Sequence, residues 1–127
     1  MKKTLLALMA VVSFHLLMVS VSKAETYTPD PKGGSISGRV IDASTSVPME
    51  YVSVALYRAA DSALVTGTIS SEGGNFKIEK IPTGDYFLKI TFLGFENLQT
   101  GKINLNAKAM QPELGDIKLA ANTAQLN

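Results

Sequence analysis

A proline–glycine hinge set against a long alternating run constrains this chain most. Ile81-Pro82-Thr83-Gly84 leads directly into Asp85-Tyr86-Phe87-Leu88-Lys89-Ile90-Thr91-Phe92. Proline fixes φ and glycine accepts turn conformations that other residues resist, so the chain reverses here and then extends. A few residues earlier Gly73-Gly74-Asn75 opens into Phe76-Lys77-Ile78, where apolar and charged residues alternate. The pair reads as a β-hairpin of a small antiparallel sandwich.

Not all 127 residues belong to that fold. Lys2 and Lys3 precede a nearly unbroken apolar run from Leu5 to Val19, and Ser22-Lys23-Ala24 places small residues three and one positions before Glu25. This is the layout of a secretory signal peptide over residues 1–24, with cleavage after Ala24. The other reading is an uncleaved anchor helix, because Thr4 to Val21 borders on membrane length. Ser13, His15 and Ser20 dilute the run and favour cleavage.

Loss of residues 1–24 removes Lys2, Lys3 and Lys23 and leaves nine basic and 11 acidic residues, a net charge of −2. That balance argues against nucleic acid and against an anionic membrane surface. The remaining 103 residues are enough for one self-sufficient core. There is no cysteine, so neither disulfides nor lipid attachment through cysteine enters the argument.

Residues 25–34 hold Pro29, Pro31, Gly33 and Gly34 and read as a flexible leader; the sandwich is expected over residues 35–119 and a polar tail over residues 120–127. Strands are expected around Ile36–Ile41, Tyr51–Tyr57, Ala63–Ser70, Phe76–Glu79, Tyr86–Phe92, Gln99–Leu105 and Gly115–Leu119. No stretch keeps a helical period. About seven short strands between glycine and proline signals point to an all-β, antiparallel Greek-key sandwich. The inward set is Ile36, Val40, Val52, Val54, Leu56, Phe76, Ile78, Tyr86, Leu88, Ile90 and Phe92. Phe87, Leu93 and Phe95 then fall outward or at an end, and Phe87 with Phe95 mark the expected docking surface. The ordinary reading, and the favoured one, places these aromatics under a loop or in a crossover.

The catalytic inventory is thin. The only histidine is His15, inside the expected signal, so the exported part has neither histidine nor cysteine. Serine–histidine and cysteine–histidine nucleophiles are excluded, and so are histidine-rich zinc sites. Asp42, Glu50, Asp61, Glu72, Asp85, Glu96, Glu113 and Asp116 are spread over loops without calcium-loop spacing, and solvated loop charge is their ordinary reading. A calcium site assembled from several loops stays open. No catalytic residue, metal ligand or cofactor site is expected.

An ordered series of turns and followers carries a resemblance. It runs through Ser37-Gly38-Arg39-Val40-Ile41-Asp42, Val47-Pro48, Tyr51-Val52-Ser53-Val54-Ala55-Leu56 and Gly67-Thr68-Ile69. It continues through Gly74-Asn75-Phe76, Ile81-Pro82-Thr83-Gly84-Asp85-Tyr86 and Leu93-Gly94-Phe95. Together these resemble the carboxypeptidase regulatory-like domain, a transthyretin-like β-sandwich, from about Gly34 to Leu119. Glu50-Tyr51-Val52, Leu56-Tyr57-Arg58-Ala59-Ala60-Asp61, Val65-Thr66-Gly67-Thr68 and the closing Gly115-Asp116-Ile117-Lys118-Leu119 resemble one subtype. That subtype is the N-terminal domain of TonB-dependent outer-membrane receptors of Bacteroidetes type.

Two positions depart from the family pattern. Ser70-Ser71 stands where members usually carry Thr-Asp, and Val47 replaces the usual glycine before Pro48. The resemblance implies a non-catalytic interaction or spacer module in the periplasm or at the outer membrane. Its partner would be an envelope protein or the plug and barrel of a receptor. Residues up to Asn127 carry no plug or barrel, so a fragment, a shortened frame and a stand-alone relative all stay open. The alternative function is a stand-alone exported sandwich that binds carbohydrate or peptide. Related sandwiches with sharper functions fit less well: hydroxyisourate hydrolases need histidines and a terminal Tyr-Arg-Gly-Ser, and pilin isopeptides need a buried acid that Tyr86–Phe92 lacks.

Overall fold

The computed structural model describes residues 26–123. The expected signal peptide and the end of the tail lie outside the described residues. Eight strands form two sheets: β1 (Gly34–Asp42), β2 (Ser53–Arg58), β3 (Leu64–Ile69), β4 (Asn75–Ile81), β5 (Gly84–Thr91), β6 (Leu98–Gln99), β7 (Ile103–Leu105) and β8 (Glu113–Leu119). The smaller sheet runs β4-β1-β8, and the larger runs β3-β2-β5-β6 with β7 also on β5. The architecture is the expected all-β sandwich. Every strand and the whole core lie within residues 34–119, so residues 26–127 hold a unit that folds on its own.

Three expectations about connectivity change. First, β4 and β5 are not a hairpin. β4 pairs with β1 and β5 pairs with β2, so Pro82-Thr83-Gly84 is a crossover between sheets. The Tyr86 hydroxyl donates to the Pro82 carbonyl at 2.8 Å and ties the corner to the strand that leaves it. Second, β1 and β8 pair in parallel, so the smaller sheet is mixed rather than wholly antiparallel. The chain between β1 and β8 is long enough to return in the same direction, which antiparallel hairpins do not require. Third, the expected strand Gln99–Leu105 is split. β6 and β7 pair with successive parts of β5, and Thr100 bridges the break: its Oγ1 accepts from the Leu88 N–H at 2.9 Å.

The core is close to the one read from alternation. Ile36, Val40, Val52, Val54, Leu56, Leu88 and Ile90 are fully enclosed, and Phe76, Ile78 and Tyr86 are buried with them. Each such apolar side chain contributes about 1.5–3 kcal/mol. Phe92 is the exception. β5 ends at Thr91, and Phe92 is only half-buried against the core. The ends of the domain are also tied down. In the leader, the Tyr27 hydroxyl and the Asp30 N–H both donate to the Lys80 carbonyl, at 3.2 and 3.0 Å. In the tail, the Asn122 N–H donates to the Gly94 carbonyl and the Ala120 carbonyl accepts from Glu96.

Candidate functional site

The two aromatics expected to form one docking surface are separated. Phe87 lies on the outer face of the larger sheet, opposite Tyr57 of β2. The two rings stack at 5.4 Å and 7°, and Phe87 is only 9% exposed. The Lys89 ammonium lies 4.7 Å over the Tyr57 ring. Phe87 is therefore covered by its cross-strand neighbour and is not a free contact. Aromatic cross-strand pairs bury each other in this way even on an outer sheet face. Phe95 sits beyond the other end of β5, half-buried, with its ring 5.8 Å from that of Phe92.

Exposed apolar surface does gather at the Phe95 end. Leu93 is 90% exposed, Tyr51 68% and Ile69 59%. The register explains why they meet: Ser53 pairs with both Thr91 and Ile69, so the chain entering β2, the chain leaving β5 and the end of β3 converge there. Tyr51, Ser53, Phe92, Leu93 and Phe95 line a shallow depression of about 500 Å³. Leu93 was legible as an outward residue. Tyr51 was not, because its position at the head of a β-prone run reads as part of the strand.

The backbone holds Tyr51 out against its own preference. Its φ is +63°, a region that a bulky side chain rarely occupies. The Tyr51 N–H donates to the Ser70 carbonyl at 2.9 Å, and the Ser70 N–H donates to the Val52 carbonyl. The Ser70 side chain is enclosed and links Met49 with Val52. A hydrogen bond to the Glu50 carboxylate, followed by that group's charge, pushes the Tyr51 phenol above its ordinary value. The phenol therefore stays protonated and neutral at physiological pH.

The apolar ground continues from this depression along the outer face of the larger sheet. Ala55 pairs with Gly67 and Tyr57 with Leu64, so small residues make a floor between Ile69 at one end and Leu64 at the other. Leu64 is 62% exposed.

Several surface charges are paired. On the smaller sheet the Arg39 guanidinium donates to both oxygens of Asp116, at 2.8 and 3.0 Å. These hydrogen bonds hold the Asp116 carboxyl below its usual range. Lys77 pairs with Glu79 on the same sheet. Asp85 accepts from Asn104 at 2.6 Å and lies 3.7 Å from the Lys102 ammonium, in water. Among the described residues no three carboxylates come together in a way that could hold a metal ion. Among the described residues the surface offers apolar contact and several paired charges.

A domain family described as the carboxypeptidase regulatory-like domain matches residues 35–120. Comparison with curated proteins gave no match. Among solved structures, the group B streptococcus pilus 2b backbone protein aligns at 18% identity and TM-score 0.57, covering 75% of this chain and 43% of that one. BcpA, the major pilin subunit of Bacillus cereus, aligns at 20% identity and TM-score 0.54, covering 70% of this chain and 30% of that one. Klebsiella pneumoniae 5-hydroxyisourate hydrolase aligns at 20% identity and TM-score 0.54, covering 69% of this chain and 91% of that one. The chain thus spans less than half the length of the two pilus proteins. At these identities the likeness is one of fold.

Proposed function

The chain belongs to the carboxypeptidase regulatory-like domain family, and from that premise we propose that it is a non-catalytic interaction module of the cell envelope. The observation that carries the reading is the Tyr51–Leu93–Ile69 cluster. Three large apolar side chains stand in solvent at one end of a sandwich whose core is already complete without them. Apolar surface kept outside a finished core marks contact with another molecule. The thin chemistry agrees: the residues after Ala24 supply no histidine or cysteine.

Export is supported by the signal-type layout of residues 1–24 and by a fold shared with pilus subunits. The finer proposal is the N-terminal periplasmic domain of a TonB-dependent outer-membrane receptor. It rests on the resemblance of Glu50-Tyr51-Val52, Leu56-Tyr57-Arg58-Ala59-Ala60-Asp61, Val65-Thr66-Gly67-Thr68 and Gly115-Asp116-Ile117-Lys118-Leu119 to that subtype. In that setting the apolar end would seat the domain against the receptor's plug or another envelope protein.

The test is photo-crosslinking in cells from position 93, followed by membrane fractionation. The reading expects an adduct with a β-barrel protein in the outer-membrane fraction. Retention of the product in the cytoplasm would overturn it. So would reproducible turnover by purified residues 26–127 on ester, peptide or glycoside substrates.

A further inference from the structure

Four strand edges bound the two sheets, and three of them are guarded. An open edge presents unpaired N–H and C=O groups, and proteins blunt it with charge, bulges or brevity. β4 carries Lys77, Glu79 and Lys80, and the leader is bound to its Lys80 carbonyl. β8 carries Glu113, Asp116 and Lys118, and it bulges at Gly115, where φ is +68°. On the far side of β5 there are only the two-residue β6 and the three-residue β7. β3 differs. Leu64-Val65-Thr66-Gly67-Thr68-Ile69 contains no charge and no proline, and it is terminal in the larger sheet. One register shift bends its start at Val65, and the pairing from Thr66 to Ile69 is regular.

The direction of the free groups follows from the ladder. Ser70 turns both its N–H and its C=O toward the chain that leads into β2. Antiparallel pairing alternates, so Thr68 faces β2 as well, while the N–H and C=O of Ile69 and Gly67 face away. The side chains beside this open ladder are Ile69 and Leu64, both more than half exposed.

We infer that β3 is a self-association edge: two copies of this domain pair antiparallel through Thr66–Ile69 about a two-fold axis near Gly67. An occupant of this edge has to be extended, uncharged, free of proline and β-prone. The β3 segment itself meets each requirement, and a two-fold contact uses one patch twice. Pairing about Gly67 brings Ile69 of each copy to the Leu64–Val65 end of the other, which covers the exposed apolar residues. The mature net charge of −2 opposes the approach only weakly. The two larger sheets would become one continuous sheet across the pair. The inference shares Ile69 with the apolar cluster of the envelope reading, and amide exchange at Gly67 and Ile69 distinguishes pairing through β3 from a contact made at Leu93.

Sedimentation velocity on purified residues 26–127 should show a concentration-dependent monomer–dimer equilibrium. Hydrogen exchange at the Gly67 and Ile69 amides should slow roughly tenfold or more as the dimer fills, because those amides gain partners. Ile69→Lys places a charge in each copy against the Leu64–Val65 end of the other; it should give a folded monomer with fast exchange at Gly67. Glu113→Lys, on an edge of the other sheet, should leave the dimer intact. A wild-type domain that stays monomeric to millimolar concentration overturns the inference. So does a dimer in which Gly67 and Ile69 exchange as fast as in the monomer. The wild-type exchange measurement decides the matter even if the lysine variant fails to fold.

Discussion

The Ser70 hydroxyl donates to the Met49 carbonyl at 2.7 Å, across a separation of 21 residues. The same oxygen accepts from the Val52 N–H at 2.9 Å, in a position almost wholly closed to water. One short side chain thus satisfies the backbone where the chain enters β2, directly behind the exposed Tyr51. Removing it leaves a buried donor and a buried acceptor without that partner, and an orphaned buried group costs about 1–3 kcal/mol. Ser70→Ala should therefore lower the melting temperature clearly. Ser71→Ala alters an exposed turn residue and should cost far less. Equal melting shifts would show that the Ser70 bridge contributes nothing.

Gly84 makes the crossover from β4 to β5 with φ at +152°. A Cβ there would touch the Tyr86 ring at 3.5 Å, and that ring is fixed by its bond to the Pro82 carbonyl. Gly84→Val adds a branched side chain in a conformation that L residues resist. Thr83→Val changes an exposed neighbour without that constraint. The glycine variant should melt well below the threonine variant. Parity between them would mean that the corner relaxes freely.

Much of the fold was legible because alternation reports which face is dry. Val52, Val54 and Leu56 are fully enclosed as their spacing required, and so are Leu88 and Ile90. Alternation does not report which strand lies alongside. Pro82-Thr83-Gly84 marks a reversal equally well for a hairpin and for a crossover, and only the pairing of β4 with β1 separates the two. The parallel partnership of β1 with β8 joins segments more than 70 residues apart and leaves no local trace. Phe87 shows the same limit at the site. Its outward position was readable, but its cover was not, because Tyr57 is supplied by another strand. In the sequence Ser70 reads only as the end of a strand; its buried role depends on the Met49–Tyr51 segment folding over it.

The Arg39–Asp116 pair predicts a pH dependence. Hydrogen bonds from the guanidinium hold the Asp116 carboxyl below its usual value. A depressed carboxylate stabilises the fold above its unfolded pKa of about 3.9, and that contribution fades as pH falls through the lower folded value. Asp116→Asn should therefore lower the melting temperature at pH 7 and make little difference at the most acidic pH where the domain still folds. Both side chains are partly in water, with 44% and 45% exposure, so the effect should be small and should shrink in high salt. A difference that grows on acidification would contradict the pairing.

Tyr51 gives the most direct link between backbone strain and the proposed contact surface. Its φ of +63° costs a non-glycine residue about 1–2 kcal/mol, and its ring, 68% exposed, recovers little of that by burial. Glycine at this position escapes the steric cost and loses part of the gain, about 0.4–1 kcal/mol, to the greater freedom of the unfolded chain. Alanine keeps the steric cost and forgoes the ring. Tyr51→Gly should therefore melt above Tyr51→Ala by up to several degrees, since about 1 kcal/mol shifts a domain of this size by roughly 4–8 °C. The same glycine variant should reduce the crosslinking yield from position 93, because Tyr51 and Leu93 line one depression. If the alanine variant melts at or above the glycine variant, Tyr51 is not strained. If crosslinking survives the loss of the ring, the aromatic is not part of the contact, and the strain at this position has no functional return.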